Sequence, residues 1–321
     1  MGPRIIFVHG IGGPRAEADE LRQWSAALAA GARLAGHSAF AAELEEDPGA
    51  RASFVYYGDL FEPAQAQGGH GLDLDEEEGA ILAGLILALI DTQLAEGPDE
   101  RERRILEHAR AQVAPEGQPQ GAGNAVRLAV NAATTLLSLR PVRRAGLWAT
   151  PKLMAGDLAQ VARYLARGEA DRHGVTLDQR IRARLARALD GGPAVVVAHS
   201  LGTVVAWETL HERAAAIPLF VTIGSPIGMR TVVWPRLVPR PPSTPEPVAR
   251  WLNFWDRDDV IAARPHIEAD LRPSSAGVGV TSSRVDSDGL WVHAAAKYLA
   301  TPNVGGPIAE VVTSPAGRIP R

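Results

Sequence analysis

The sequence predicts an α/β fold: a mostly parallel sheet flanked by helices and interrupted by a helical insertion. Three observations carry this. Short β-branched and aromatic runs alternate with helical patterns at both ends of the chain, as right-handed βαβ crossovers require. Ala194–Ala198 (AVVVA) is apolar at every position, as expected of a strand covered on both faces. Between about residues 60 and 170 no strand pattern occurs at all.

In chain order, a strand is expected at Ile5–His9, followed by a helix over Ala16–Leu34 with Leu21, Trp24, Leu28 and Ala32 on one side. A second strand is expected at Ser53–Tyr57. The insertion then offers helices at Gly79–Ala95, Glu100–Val113, Asn124–Leu139 and Lys152–Leu165. The tract Ala114–Gly123 (APEGQPQGAG) has the composition of a loop. Leu177, Ile181, Leu185 and Leu189 recur every fourth residue and predict a helix over Leu177–Leu189. Further strands are expected at Ala194–His199, Leu219–Gly224, Trp251–Trp255 and Val278–Val285, with helices at Thr203–Leu210 and His293–Leu299. The prolines of Arg236–Pro247 exclude helix and central strand there. These elements divide the chain into a core of residues 1–60 and 170–321 and a helical cap or lid of residues 61–169.

The chain has 321 residues, 46% of them hydrophobic, enough for a large core. A net charge of −4 gives no electrostatic case for binding nucleic acid. The absence of cysteine excludes disulfides, thiolate metal sites and a cysteine nucleophile. No spacing such as H-E-x-x-H points to a metal, and no cofactor is expected. The N-terminal residues lack the order of a secretory signal, which predicts a cytoplasmic protein. Gly79–Ile90 (GAILAGLILALI) is the longest strongly apolar stretch. As helix its twelve residues rise about 18 Å, short of the ~30 Å hydrocarbon core of a bilayer. It is read as a buried helix or lid element, not a membrane span.

The chemistry centres on AVVVAHSLGTVVAWETL: a strand, a sharp turn and a helix, with Ser200 at the apex. In a nucleophile elbow the serine adopts a strained backbone conformation, and bulky residues two positions either side would clash. Here those positions are Ala198 and Gly202. The helix after Ser200 points its N–H groups and positive dipole end at the reaction centre, which favours an oxyanion. The blander reading of Ser200 is a simple helix cap.

His9-Gly10-Ile11-Gly12-Gly13 follows the first strand directly. Acyl transfer needs two N–H donors aimed at the developing oxyanion. Leu201 is expected to supply one and Ile11 the other, while Gly10 and Gly12 let the backbone approach the substrate. A Gly-rich loop after a strand can also cradle phosphate, but the Walker pattern is absent.

A hydroxyl nucleophile needs a base and an acid that orients it, expected in the order Ser, acid, His. Downstream of Ser200 lie His211, His266 and His293. His211 belongs to the helix leaving the elbow and would point away. His293, after the last strand and an Asp286–Gly289 turn, is the expected base. The acid must follow WLNFW, where Asp256, Asp258 and Asp259 compete.

Together, HGIGG, AHSLGTVVAWETL, LFVTIGSPIGMR, WLNFWDRDDVIAAR and WVHAAAKYL resemble the lipase and esterase-like serine hydrolases of the α/β-hydrolase superfamily. The resemblance covers residues 4–60 and about 170–300 and fades in the insertion. Asn253–Arg264 looks like the N-x-x-D-x-x-D-x-V-A-x-R stretch of that family. Its second aspartate, the triad acid, falls on Asp259, with Asp256 as the alternative; Val260 stands where a proline is common. The resemblance implies hydrolysis of carboxylic esters, thioesters or amides by Ser200, His293 and Asp259. It also makes Gly224-Ser225-Pro226 a structural strand end. The apolar helix Gly79–Ile90 and the segment Ala132–Leu139 point to an acyl-ester or lipid substrate and to peripheral membrane contact through the cap, although they serve equally as packing helices. An acyltransferase, a peptidase or a non-catalytic binding protein of the same fold are the alternatives.

Overall fold

The computed structural model describes residues 2–13, 15–61, 74–113, 122–139, 142, 148–262, 266–287 and 291–314. Residues 114–121 of the loop tract and 288–289 of the turn after β6 lie outside them. Six strands form one sheet: β1 (Arg4–Val8), β2 (Ala52–Val55), β3 (Ala194–His199), β4 (Leu219–Ile223), β5 (Trp251–Asp256) and β6 (Val280–Val285). Their order is β2-β1-β3-β4-β5-β6, and every pair is parallel.

Eleven helices occur among the described residues. They are α1 (Glu17–Leu34), α2 (Ser38–Glu46), α3 (Pro48–Arg51), α4 (Glu76–Ala95), α5 (Glu100–Val113), α6 (Ala122–Leu136), α7 (Pro151–Ala166), α8 (Leu177–Leu189), α9 (Leu201–Glu212), α10 (Ala295–Leu299) and α11 (Pro302–Thr313). The alternation of the strands sorts their side chains to two faces. Ile5, Phe7, Val195, Val197, Leu219 and Val221 pack with α1, α2, α10 and α11. Ile6, Val8, Val196, Ala198 and Phe220 face α8, α9 and the insertion.

That sorting creates the place for a site. The crossover from β1 to β2 runs through α1 on one face, and the crossover from β3 to β4 through α9 on the other. The chain therefore leaves the adjacent strands β1 and β3 in opposite directions. Such a switch point opens a crevice at the carboxyl ends of the strands.

The insertion folds as α4–α7, which pack on one another. Asp75 and Glu78 form a reciprocal capping box that starts α4 (3.0 and 2.8 Å), and Thr150 caps α7 ahead of Pro151. One expectation needs correction here. α4 runs for 20 residues, eight more than its most apolar stretch, because the capping box and a polar last turn extend it. By length and composition alone it could cross a membrane. Its Ile81, Leu82, Leu85, Ile86, Leu89 and Ile90 are nonetheless buried, in the same cluster as one face of the sheet.

Candidate active site

Ser200 sits between the last residue of β3 and the first of α9, at φ +52° and ψ −129°. This positive φ is sterically costly for any residue with a Cβ, and such strain is held only where the surroundings fix it. Here the Ser200 N–H donates to the Ile223 carbonyl at 3.2 Å, and the Ser200 carbonyl accepts from the Thr203 N–H (2.9 Å) and hydroxyl (2.7 Å). Small residues around the turn are a packing requirement. A Cβ on Gly202 would lie 2.2 Å from the His9 carbonyl oxygen, and one on Gly10 would lie 2.6 Å from the Ser200 Cβ. The loop after β1 is therefore pressed directly against the serine.

Within that loop, Gly10 and Gly12 are buried and Ile11 partly so. The Gly12 N–H donates to Gln160 Oε1 of α7 at 3.0 Å. His9 anchors the loop's start: its Nε2 accepts from the Tyr57 N–H at 3.0 Å, its carbonyl accepts from the Tyr57 hydroxyl, and its ring stacks on Tyr57 with centroids 4.1 Å apart. Burial, helped by the Arg15 charge, holds the His9 imidazole down at about 3, so it is neutral. Leu201 is the first residue of α9, where a helix N–H has no intrahelical acceptor.

The base and acid expected from sequence meet at the ends of β5 and β6. His293 Nδ1 lies 2.8 and 2.7 Å from the two carboxylate oxygens of Asp259. Asp259 also accepts from the Tyr298 hydroxyl (2.6 Å) and the Ile261 N–H (2.9 Å). Burial works against its ionised form, but the His293 charge and these donors outweigh it and hold the carboxyl below its ordinary range. The carboxylate facing Nδ1 accepts a hydrogen bond from the proton carried there, which leaves Nε2 as the ring nitrogen that the acid does not engage. Nε2 is buried and has no hydrogen-bond partner among the described residues.

The other candidates lie elsewhere. Asp256 is buried too, but its carboxylate accepts from the Asp258 N–H and from the backbone and hydroxyl of Ser287, closing the β5–β6 end. Asp258 is exposed. His266 is exposed and pairs with Glu268, while His211 faces the Ser243 carbonyl at 3.1 Å. Ser225 bonds Thr203 (2.8 Å) and caps the turn after β4.

Two contacts bring the His293 pair beside the serine. A Cβ on Gly224, which follows the carbonyl that holds Ser200, would come within 2.9 Å of Asp259 Oδ2 and 3.1 Å of His293 Nδ1. On the other side, the His199 ring lies 4.6 Å from the His293 ring, with its Nε2 2.6 Å from the His293 carbonyl oxygen. Burial first, and the His293 charge second, push His199 well below the ordinary histidine range. It is therefore neutral and must carry its proton on Nε2 to donate to that carbonyl.

Sequence reasoning missed His199, Tyr298 and Gln160. His199 and Tyr298 stand within the motifs HSLG and WVHAAAKYL, so proximity to Ser200 and His293 was an available signal. Gln160 carries none, since its contact to Gly12 spans 148 residues. Among the described residues, no group of three or more His, Asp or Glu is placed to hold a metal ion. A cavity bounded by Gln93, Gly97, Asp99, Leu106 and Leu139 shares no lining residue with the Ser200 site. No protein-family model matches the chain, and no curated protein matches it.

Proposed function

We propose that this chain is a serine hydrolase of the α/β-hydrolase type, cleaving carboxylic esters through an acyl-enzyme. The observation that carries the reading is the buried Asp259–His293 pair, set beside a serine in elbow conformation with its free nitrogen unpartnered. That nitrogen is the one a general base needs free to take a proton from the serine.

In this reading His293 Nε2 takes the Ser200 proton as Oγ attacks the acyl carbonyl carbon. No hydrogen bond yet joins the two groups; such contacts tighten when substrate binds. Leu201 and Ile11 amides stabilise the oxyanion, and Asp259 fixes the histidine tautomer. The intermediate collapses, and the leaving alcohol takes the proton back from Nε2. Water then repeats the cycle on the acyl-enzyme. No step calls for a metal or organic cofactor. Residues 61–169 are read as a cap over the crevice, and residues 1–60 and 170–321 as the catalytic core. The apolar side chains of α4 are used in packing, so the site supports the ester class without a lipid chain length.

Fluorophosphonate labelling tests this directly. The expected result is one adduct on Ser200 in folded protein, lost in Ser200→Ala and in His293→Ala. An unlabelled wild-type protein would overturn the proposal. A panel of p-nitrophenyl esters from acetate upward then reads the acyl preference.

A further inference from the structure

The loop after β1 is held on both sides of Ile11. On one side Gly10 lies flush against Ser200, with no room for a Cβ. On the other, the Gly12 N–H donates to Gln160 Oε1 at 3.0 Å. Gly12 stands at φ +96°, so without that bond the peptide would be free to turn as only glycine allows.

Gln160 is itself delivered to a fixed place. One turn further along α7, Arg163 Nη1 donates to the Phe61 carbonyl (2.7 Å) and pairs with Glu169. Tyr164 donates its hydroxyl to buried Glu208 of α9 at 2.6 Å, and Arg167 closes the helix on the same carboxylate. These charge-assisted ties fix α7 to the core, independently of the loop. The direction of constraint therefore runs from Gln160 to Gly12.

We propose that Gln160 is a positioning residue, through which the insertion fixes the Ile11 amide in line for the oxyanion. This rests on the hydrolase reading above and adds that α7 completes the site. Preorganised donors are worth most when they need no reorganisation during reaction, so a loosened loop costs rate rather than ground-state binding.

The test compares wild type with Gln160→Ala and Gln160→Met, the latter keeping the length but removing the amide acceptor. With p-nitrophenyl acetate both variants are expected to lose about tenfold in kcat with KM within about twofold. Fluorophosphonate labelling of Ser200 should slow in parallel, while thermal unfolding stays close to wild type. If wild type is labelled and turns over but both variants match its kcat, the positioning role is wrong and the hydrolase reading stands. A rise in kcat would also overturn it, by showing that Gln160 blocks the loop. A wild type that neither labels nor turns over overturns both.

Discussion

Asp256 and Asp259 stand three residues apart, both buried, and their hydrogen bonds separate their work. Asp259 faces His293; Asp256 binds the Asp258 amide and Ser287. Asp259→Asn should therefore cut kcat by about 10⁴, because an amide cannot hold the imidazole in the needed tautomer. Asp256→Asn should retain kcat within about tenfold and show its cost as a lower melting temperature. Ester kinetics and thermal melts on the two variants check this, and a reversed pattern would exchange the roles. The glycines are equally specific. Gly10→Ala should depress labelling of Ser200, since its Cβ would come within 2.6 Å of the Ser200 Cβ and 3.2 Å of Oγ, as well as 3.2 Å of the His199 carbonyl oxygen. Gly202→Ala meets the His9 carbonyl backbone instead, so it should destabilise the fold, read as a lower urea midpoint. At this scale Ser200 and His293 were legible as candidates, because each belongs to a local motif. Among three aspartates within four residues, the resemblance alone favoured Asp259; in the fold their partners beyond β6, Ser287 and His293, separate them.

At the scale of elements, all six strands were legible: the buried ones from apolar runs, and the edge strand β6 (VTSSRV) from its β-branched residues. α11 was not. Pro302, Gly305, Gly306 and Pro307 are helix breakers by propensity. Packing overrides that preference: a Cβ on Gly305 would lie 2.4 Å from the Ala32 amide of α1, so glycine permits the close helix contact. α2 was missed as well. The polar network joining α7, α8 and α9 was invisible for a different reason, since its members look like ordinary solvated charges in sequence. In the fold, Glu208 accepts from Tyr164, Arg167 and Arg182, while Asp178 pairs with both arginines. Two cations face two carboxylates, nearly out of water. Glu208→Ala leaves the guanidinium groups with buried Asp178 and the exposed Glu212 carboxylate, 3.4 Å from Arg182, and should cost about 3–5 kcal/mol in urea unfolding. A loss below about 1 kcal/mol would mean that solvent already compensates these charges.

For the whole molecule, the crevice at the switch point explains why loops far apart in sequence converge, and its burial explains how stability should depend on pH. His9, at the start of the loop after β1, is held neutral down to about 3, against an ordinary value of 6.5. Desolvation is the main cause. The Arg15 and Arg184 charges act in the same direction, and Asp59 opposes them. Between these values the unfolded chain binds a proton that the folded protein refuses. Stability from this group therefore rises with pH across the window and is lost as pH falls below about 6.5. His199 shifts in the same direction. Two carboxyls work the other way. Burial raises Asp157, which accepts from the Trp148 indole and faces the Arg15 charge, to about 6, and it raises Glu78 as well. They take up protons on folding at acid pH and partly offset the histidines, so the wild-type slope alone is ambiguous. The comparison with His9→Gln isolates the term, because glutamine offers the Tyr57 amide an acceptor but cannot titrate. Urea midpoints measured at pH 7 and pH 5 should fall less in His9→Gln than in wild type. Equal falls would mean that His9 takes a proton in the folded protein, and that the loop after β1 admits water the packing otherwise excludes.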